Sequence, residues 1–291
     1  MNTAFKQQPS VSFAELHCCS AFSFLTGASQ PEELIARAAE LGYTALAITD
    51  ECSLAGVVRA WQAAKGTSLK LIIGSQLQVN EADHDAPLRM VLLVPHRQAY
   101  SELCALISRG RRRAEKGQYH LEWADISRLI QHCLCLWLPS FDNAQDLQQG
   151  AKLKAHFGER LWIACELLQE QHDGARYQYL WQLATRLELP LVASNDVHMH
   201  LAERQPLQDV VTALRHRCTV QELGRRRFIN DQRHLRSVVE LQQIYPAELL
   251  RESLKIAALC TFSLTELRYQ YPREAIPQGI SASEWLRQLV Y

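Results

Sequence analysis

Histidine, cysteine and carboxylate side chains follow several apolar runs of this sequence, each at the point where the run ends. They are His17, Cys19, Asp50, Glu51, Asp196 and His198. His17 and Cys19 lie one residue apart, so they would point the same way from a β-strand, whose side chains alternate between two faces. Together, the six would suit a hydrolytic centre in which two or three divalent metal ions activate water and stabilise a leaving oxygen. The alternative is that each is a capping or core polar residue, which is the commoner explanation of a single HxC or DxH motif.

The elements that must position these residues alternate between strands and helices. A helix is predicted over 29–42, where Ser29 and Glu32 have capping-box spacing and Gly42 ends the segment. Seven apolar segments are predicted to be strands: the run from residue 13, then 45–49, 69–79, 89–95, 133–139, 161–167 and 189–194. A charged turn around 83–85 is predicted to join the third strand to the fourth. Strands that alternate with helices indicate βαβ units and a parallel sheet.

Seven such units can form an open doubly wound sheet or a closed barrel, and periodicity does not separate the two. The polar clusters favour the barrel, because many strand ends converge on one site at the C-terminal face of a barrel, whereas an open sheet offers one crevice. We therefore predict an α/β fold with a seven-stranded (β/α) barrel. Helical patterns without strands continue beyond His198, so C-terminal helices are expected to follow the barrel.

The composition is that of one large folded domain with a short extra piece. Apolar residues make up 47% of the 291 residues, and 31 basic residues balance 31 acidic ones. No run of eighteen apolar residues and no secretory signal pattern occurs, so we expect a cytoplasmic chain that does not enter a membrane. Nine cysteines without paired CxxC spacing argue against a disulfide framework and a structural zinc site.

Two short basic groups are local candidates for contact with DNA. They include Arg111, Arg112 and Arg113 in one group and Arg225 and Arg226 in the other. Charge runs are more often solvated loops, and neither group has interleaved aromatic residues that would stack on bases. We expect at most a weak, secondary role in DNA binding.

Several motifs, in order, resemble the N-terminal PHP (polymerase and histidinol phosphatase) domain of bacterial C-family DNA polymerases. They are ELHCCSAFSFLTGAS, ALAITDECSLAG, KLIIGSQLQV, ASNDVHMH, ERQPLQDVVTALRH, RHLRS and CTFSLTELRYQYP. TDECSLAG and DVHMH are most similar to the error-prone, damage-inducible members. The resemblance spans about 13–279 and implies a distorted seven-stranded barrel of the PHP type.

The resemblance also implies a domain organisation and a set of partners. Residues 1–12 would be an N-terminal extension, 13–270 the PHP barrel with its C-terminal helices, and 271–291 a linker and the truncated start of the polymerase domain. The catalytic carboxylates for polymerisation would lie beyond residue 291. Partners would be the remaining polymerase domains, DNA through the full-length protein, a sliding clamp and accessory proteins of the mutagenesis pathway.

The metal-ligand pattern departs from that of metal-competent members, which carry HxH, Asp-His, Glu, a further His and Asp-x-His. His17, Asp50, Asp196 and His198 match this pattern, whereas Cys19, Glu51, Gln76 and Arg89 stand at substituted positions. Arg89 would repel a dication and is expected to pair instead with Asp50, Glu51 and Asp196. We predict a structural and interaction module without a resident cofactor. The alternative is a metal-dependent 3'–5' exonuclease or phosphoesterase with residual zinc, manganese or magnesium.

Overall fold

The computed structural model describes residues 12–81, 86–267, 276–277 and 279–290. Nearly all of the expected N-terminal extension, the expected turn around 83–85 and much of the expected linker after 270 lie outside the described residues. Within the described ranges, no helix is both long and apolar enough to cross a membrane.

Seven strands and ten α-helices make up the described part of the chain. The strands are β1 (Ala14–Glu15), β2 (Ala45–Ile48), β3 (Lys70–Val79), β4 (Leu88–Leu93), β5 (Leu134–Leu138), β6 (Leu161–Glu166) and β7 (Leu191–Ser194). The helices are α1 (Pro31–Glu40), α2 (Val57–Ala64), α3 (Arg97–Arg112), α4 (Trp123–Leu129), α5 (Asn143–Phe157), α6 (Asp173–Leu187), α7 (Gln205–His216), α8 (Val238–Ile244), α9 (Ala247–Leu259) and α10 (Ala282–Val290). All seven predicted strand segments contain a strand.

The strands lie in one sheet in sequence order, from β1 to β7. The two outer strands approach each other beyond their ends, where the backbone N–H of Cys19 donates to the carbonyl of Val197 (2.7 Å) and the N–H of Val197 donates to the carbonyl of His17 (2.9 Å). These bonds bring the sheet close to closure. The predicted seven-stranded α/β barrel is confirmed.

Strand β4 corrects the expectation of a wholly parallel sheet, because it runs antiparallel to both β3 and β5. Only residues 80–87 separate β3 from β4. A parallel crossover needs a dozen or more residues, so this connection allows only a hairpin-like return. As a consequence, Arg89 near the start of β4 lies level with Gln78 near the end of β3, at the edge where the parallel strands finish.

The first helix begins one residue later than its sequence pattern suggests. Gln30 and Glu33 form the capping box of α1, whereas the Ser29 hydroxyl lies 2.8 Å from His200 Nδ1 and accepts the His200 backbone N–H at 2.9 Å. Because the hydroxyl of Ser29 is hydrogen-bonded to the segment after β7, it does not cap the helix.

The core has two layers separated by the sheet. Small and branched side chains on alternate strand positions fill the barrel, and residues of α9 complete this inner cluster. The N–H of Ala14 donates to Ser253 Oγ (3.3 Å), and Lys70 Nζ donates to the carbonyl of Ala257 (2.6 Å), so α9 covers the end where the parallel strands begin. The opposite end is left to the polar residues.

Candidate functional site

A cleft of about 260 Å³ lies at the end of the barrel where the parallel strands finish. Its polar lining consists of Cys19, Thr26, Glu51, Gln76, Gln78, Arg89, Asp196, His198, Gln208, Thr212, Arg215, His216, Arg226 and Arg233, with Leu25 and Phe228 as apolar members. Four of the predicted ligand or substituted positions come from β3, β4 and the end of β7, namely Gln76, Arg89, Asp196 and His198, and Cys19 and Glu51 join them from the ends of β1 and β2. The convergence predicted from the strand pattern is present.

His17 lies below the cleft and is fully buried. Its Nδ1 is 2.8 Å from Glu166 Oε1, and its Nε2 is 2.8 Å from Gln76 Oε1 and 3.5 Å from Asp196 Oδ1. A histidine that binds a metal must leave one ring nitrogen free for the ion. Both nitrogens of His17 are engaged by protein oxygens, and Gln76 holds the one that faces Asp196.

Glu166 is a site residue that the sequence pattern contained but that was not predicted. It ends β6 two positions after inward-facing Ala164, so the same alternation rule that selects His17 also places it at the barrel mouth. Burial alone would raise the pKa of Glu166, but the hydrogen bond to His17 and the nearby charges of Arg233 and Arg89 hold this pKa below its ordinary value. Glu166, whose side chain is 20% exposed, is therefore a partly buried carboxylate that favours its charged form.

Asp196 and His198 lie together, as predicted from the DxH motif. His198 Nε2 is 3.1 Å from Asp196 Oδ1, and His198 Nδ1 is 3.2 Å from the carbonyl of Thr26. Burial, supported by the neighbouring His17 and Arg215, lowers the pKa of His198 to about 4. Because its usual pKa is about 6.5, the imidazole is neutral at physiological pH.

Arg233 neutralises Asp196 and was missed by the sequence argument. Its guanidinium forms an ion pair with Asp196 Oδ2 and packs over the ring of Phe228, 4.5 Å from the ring centroid. The backbone carries it there, because the N–H of His198 donates to the carbonyl of Arg233 (2.9 Å). Arg233 is 37 positions from Asp196 in the chain, and only its motif neighbourhood, RHLRS, stood out in the sequence.

Arg89 lines the cleft as its predicted position requires, but the ion pairs expected of it are not found. In the described residues, no ion pair within 4.0 Å joins Arg89 to Asp50, Glu51 or Asp196. Arg233 takes the place on Asp196 because the chain returns to the barrel mouth after α7. An arginine does neutralise a carboxylate of the site, but it is a different arginine.

Asp50 does not line the cleft, and its buried carboxylate is the centre of a cluster of hydrogen bonds. Its carboxylate accepts hydrogen bonds from the hydroxyls of Ser20 and Ser23 (both 2.8 Å) and from the Ser20 backbone N–H (2.8 Å). A Cβ atom at Gly56 would lie 2.8 Å from Asp50 Oδ2, so only glycine allows this approach. Burial raises the pKa of Asp50 against the opposing effect of the serine hydroxyls.

The side chains of Cys19 and Glu51 are likewise not free to bind a metal ion. Burial raises the pKa of the Cys19 thiol well above its ordinary value, and the nearby Asp50 adds to this rise. A protonated thiol is a poor zinc ligand, since the thiolate is the binding form. Glu51 Oε1 accepts from the hydroxyl of Tyr119 (2.9 Å) and from Gln78 Nε2 (3.2 Å).

The first basic group divides into internal and exposed arginines. Arg111 donates to the carbonyls of Glu51 (3.0 Å) and Cys52 (3.1 Å), so it braces the end of β2. Arg113 pairs with Asp125 at 2.6 Å. Arg112 is exposed, as are Arg225 and Arg226 in the single turn Gly224–Arg226.

The donor set does not fit the metal centre that its family resemblance implies. Over the ranges that the structure describes, no three His, Cys, Asp or Glu side chains are grouped so that they could hold a metal ion. Gln76 contributes a neutral oxygen directed at His17, and Arg233 places a permanent positive charge on Asp196. A dication at this point would meet electrostatic repulsion and would have to break both contacts.

Comparisons with known proteins agree with the barrel fold. The model of the PHP domain matches residues 15–195. The chain is 50% identical over 277 residues to an error-prone DNA polymerase of Pseudomonas fluorescens (strain Pf0-1), covering 95% of this chain and 26% of that protein. It is 52% identical over 278 residues to an error-prone DNA polymerase of Methylococcus capsulatus, with the same two coverages. The chain thus spans about a quarter of the length of the curated relatives that it matches.

A solved structure of an amidohydrolase from Chromobacterium violaceum has a TM-score of 0.49 and 16% identity, covering 64% of this chain and 88% of that chain. A likeness of this strength adds nothing to the assignment. The family model covers well over half of the chain, and its limits coincide with the seven-stranded barrel. The chain belongs to the PHP domain family.

Proposed function

We propose that this chain is the PHP module of an error-prone DNA polymerase that copies damaged DNA, and that the module is a structural and interaction domain. Its identity of about 50% to error-prone polymerases over 95% of its length supports the first part. In this proposal residues 1–12 are an extension, 13–270 form the module and 271–291 lead into the polymerase domain. The parent protein would work in the cytoplasm, in DNA repair synthesis and damage-induced mutagenesis.

The observation that carries the second part is the ion pair between Arg233 and Asp196. Hydrolysis by a metal centre requires carboxylates that are free to share their charge with the ion. Here Asp196 is neutralised by a guanidinium, Asp50 is turned towards two serines, and His17 has no free ring nitrogen. The fold of a metal-dependent hydrolase is kept, while its ligand set is occupied by protein groups.

Elemental analysis of the chain purified without chelator tests this proposal. We expect less than stoichiometric zinc, manganese or iron, and no release of nucleotide from a 3'-labelled DNA strand. A matched control is the variant that restores the family ligands, Cys19→His, Glu51→His, Gln76→Glu and Arg89→His, combined with Arg233→Ala. Stoichiometric metal in the unaltered chain, with nuclease activity lost on His198→Ala, would overturn the proposal.

One observation favours the alternative of a residual metal-dependent exonuclease or phosphoesterase. Asp196 Oδ1 lies 3.5 Å from His17 Nε2 and 3.1 Å from His198 Nε2. If the Arg233 side chain swung away and Gln76 released His17 Nε2, these three could bind one zinc, manganese or magnesium ion. A chelator-sensitive activity that rises in Arg233→Ala would support this second candidate.

The partners of the parent protein are also part of the proposal. The remaining polymerase domains would pack on the module, and DNA would be bound through the whole protein, with a sliding clamp and mutagenesis accessory proteins as further partners. Arg112, Arg225 and Arg226 are exposed members of the two basic groups for which the described residues show no ion pair. If they contact DNA phosphates, the logarithm of the binding constant should fall with the logarithm of salt concentration by roughly one unit per contact. Fluorescence anisotropy of labelled DNA over a salt series measures that slope.

A further inference from the structure

The cleft at the barrel mouth has an excess of positive charge. Four guanidinium groups line it, on Arg89, Arg215, Arg226 and Arg233, against the two carboxylates of Glu51 and Asp196. Arg233 and Asp196 neutralise each other. A further carboxylate, that of Glu166, borders an adjoining cleft of about 140 Å³, which Arg89 and Arg233 also line, and it contacts His17. Even with Glu166 included, the guanidiniums outnumber the carboxylates.

Three of these guanidiniums have spare hydrogen-bonding capacity. A guanidinium carries five N–H donors. Within the described residues, Arg89 and Arg226 have no side-chain hydrogen bond or ion pair, and Arg215 makes one hydrogen bond, from NH1 to Thr26 Oγ1 at 3.3 Å. These three side chains border one concave site.

Like charges held together in a cleft repel each other more than they do in bulk water, because the surrounding protein has a low dielectric constant. Burial lowers the pKa of Arg233, and the nearby charge of Arg89 adds to this effect. The repulsion would be relieved by an anion that accepts hydrogen bonds from several guanidiniums at once. Arginine matches a phosphoryl group well, since its planar fork can donate two parallel bonds to two oxygens.

We propose that the former metal site of this barrel is a phosphate-binding site, in which Arg89, Arg215 and Arg226 hold a phosphoryl group directly, without a metal ion. The phosphoryl group belongs either to a free phosphate compound or to the terminus of a nucleic-acid strand. Arg233 is a positioning residue, because its charge is spent on Asp196 and its plane is held against Phe228. The site binds anions through the position where a metal-dependent relative would bind cations.

Two adjacent arginines provide a matched pair for the test. Arg226 lines the cleft, whereas Arg225, which is in the same turn and is also exposed, does not. Neither side chain is buried, so replacement of either should leave the fold intact, which circular dichroism can verify. Isothermal titration with inorganic pyrophosphate, in chelator and at constant ionic strength, measures binding to the unaltered chain, to Arg226→Gln and to Arg225→Gln.

We expect saturable binding of pyrophosphate that weakens about tenfold in Arg226→Gln and again in Arg215→Gln, since a hydrogen bond to a charged group contributes that much on average. Arg225→Gln should bind pyrophosphate as the unaltered chain does, because Arg225 does not line the cleft and any contact it makes with DNA lies outside this site. Equal losses in Arg225→Gln and Arg226→Gln, or no saturable binding, would overturn the proposal. Stronger binding of poly-glutamate than of pyrophosphate would also overturn it, because the cleft would then accept acidic protein segments.

Short DNA strands with and without a 5'-phosphate identify the source of the phosphoryl group. If the terminal phosphate raises affinity and Arg226→Gln removes that gain, the ligand is a strand terminus; if the gain is absent while pyrophosphate binds, it is a free phosphate compound. This proposal goes beyond the structural role proposed above and can fail separately. If the chain binds neither a metal ion nor phosphate, the phosphate site is refuted and the structural role stands. If the chain binds a stoichiometric metal ion, the structural role is refuted.

Discussion

At the scale of single residues, Arg233 and Asp196 decide what the barrel mouth can bind. Both side chains are mostly buried, with 18% and 9% of their surfaces exposed. Removing one member of a buried pair leaves an uncompensated charge, which costs far more than the net contribution of the intact pair. We expect Arg233→Met to lower the free energy of unfolding by about 2 to 3 kcal/mol, because Asp196 would lose its counter-charge.

Urea denaturation of four proteins measures this coupling: the parent, Arg233→Met, Asp196→Asn and the double variant. The double variant should be more stable than the sum of the two single losses predicts, because it removes both charges. Arg233→Lys is the conservative control, which keeps the charge but loses the planar contact with Phe228. Strictly additive losses would show that the two groups do not interact.

His198 gives the molecule a predictable response to acid. Since its pKa is lowered by burial to about 4, the folded protein resists the proton that the unfolded chain accepts near pH 6.5. The contribution of His198 to the free energy of unfolding is therefore fully present above pH 6.5. It falls by about 3 kcal/mol as the pH falls from 6.5 towards 4.

Denaturation at pH 7 and at pH 5 of the parent, His198→Gln and His216→Gln measures this contribution. The loss between the two pH values should be smaller in His198→Gln than in the parent. His216, which is exposed on α7, is the control and should leave the loss unchanged. An equal loss in parent and His198→Gln would contradict the assignment of a buried neutral imidazole.

At the scale of elements, Glu15 joins the first strand to the last. Its fully buried carboxylate accepts the backbone N–H groups of His17 (3.0 Å) and Asn195 (3.2 Å) and the side-chain amide of Asn195 (2.5 Å). The same Asn195 accepts from the buried Arg236, so an amide connects a negative and a positive charge. This bridge lies where β1 and β7 do not form a continuous ladder.

We expect Glu15→Ala to destabilise the chain by about 3 kcal/mol or more, because it leaves several buried donors without an acceptor. Glu15→Gln should cost less, since one carbonyl oxygen remains. Denaturation gives the size of the effect, and hydrogen exchange locates it: amides of β1 and β7 should lose protection before those of β3 and β4. Uniform loss of protection over the sheet would contradict a role confined to the seam.

At the scale of the whole molecule, α7 is oriented with its polar side inward. Gln208 and Asp209 are buried, and Gln208 lines the cleft at the barrel mouth, whereas Leu207, Val210 and Leu214 are 40, 44 and 59% exposed. The exposed residues follow a helical spacing and form a stripe along α7. A stripe of this kind contributes little to the stability of the chain itself and favours association with another surface.

The double variant Val210→Lys and Leu214→Lys should therefore change the free energy of unfolding by less than about 0.5 kcal/mol. It should also reduce any concentration-dependent self-association seen by sedimentation velocity. Ala213→Lys is the matched control on the same helix; Ala213 is buried, so its replacement should destabilise the chain by several kcal/mol, on the order of 3. A large loss of stability in the double variant would place the stripe inside the folded unit.

The sequence by itself determined the seven strands, the edge at which polar residues gather and the cysteine, glutamate, glutamine and arginine that replace expected ligands. The strands and their polar edge follow from local periodicity, the replaced ligands follow from the resemblance to the PHP family, and the strand-end rule would also have found Glu166. The tertiary structure decided which groups meet. It paired Asp196 with Arg233 instead of Arg89, turned Asp50 to two serines, reversed β4 and used Arg111 as an internal brace. Partners far apart in the chain depend on how the backbone returns after each helix, and no local pattern of residue types records that path.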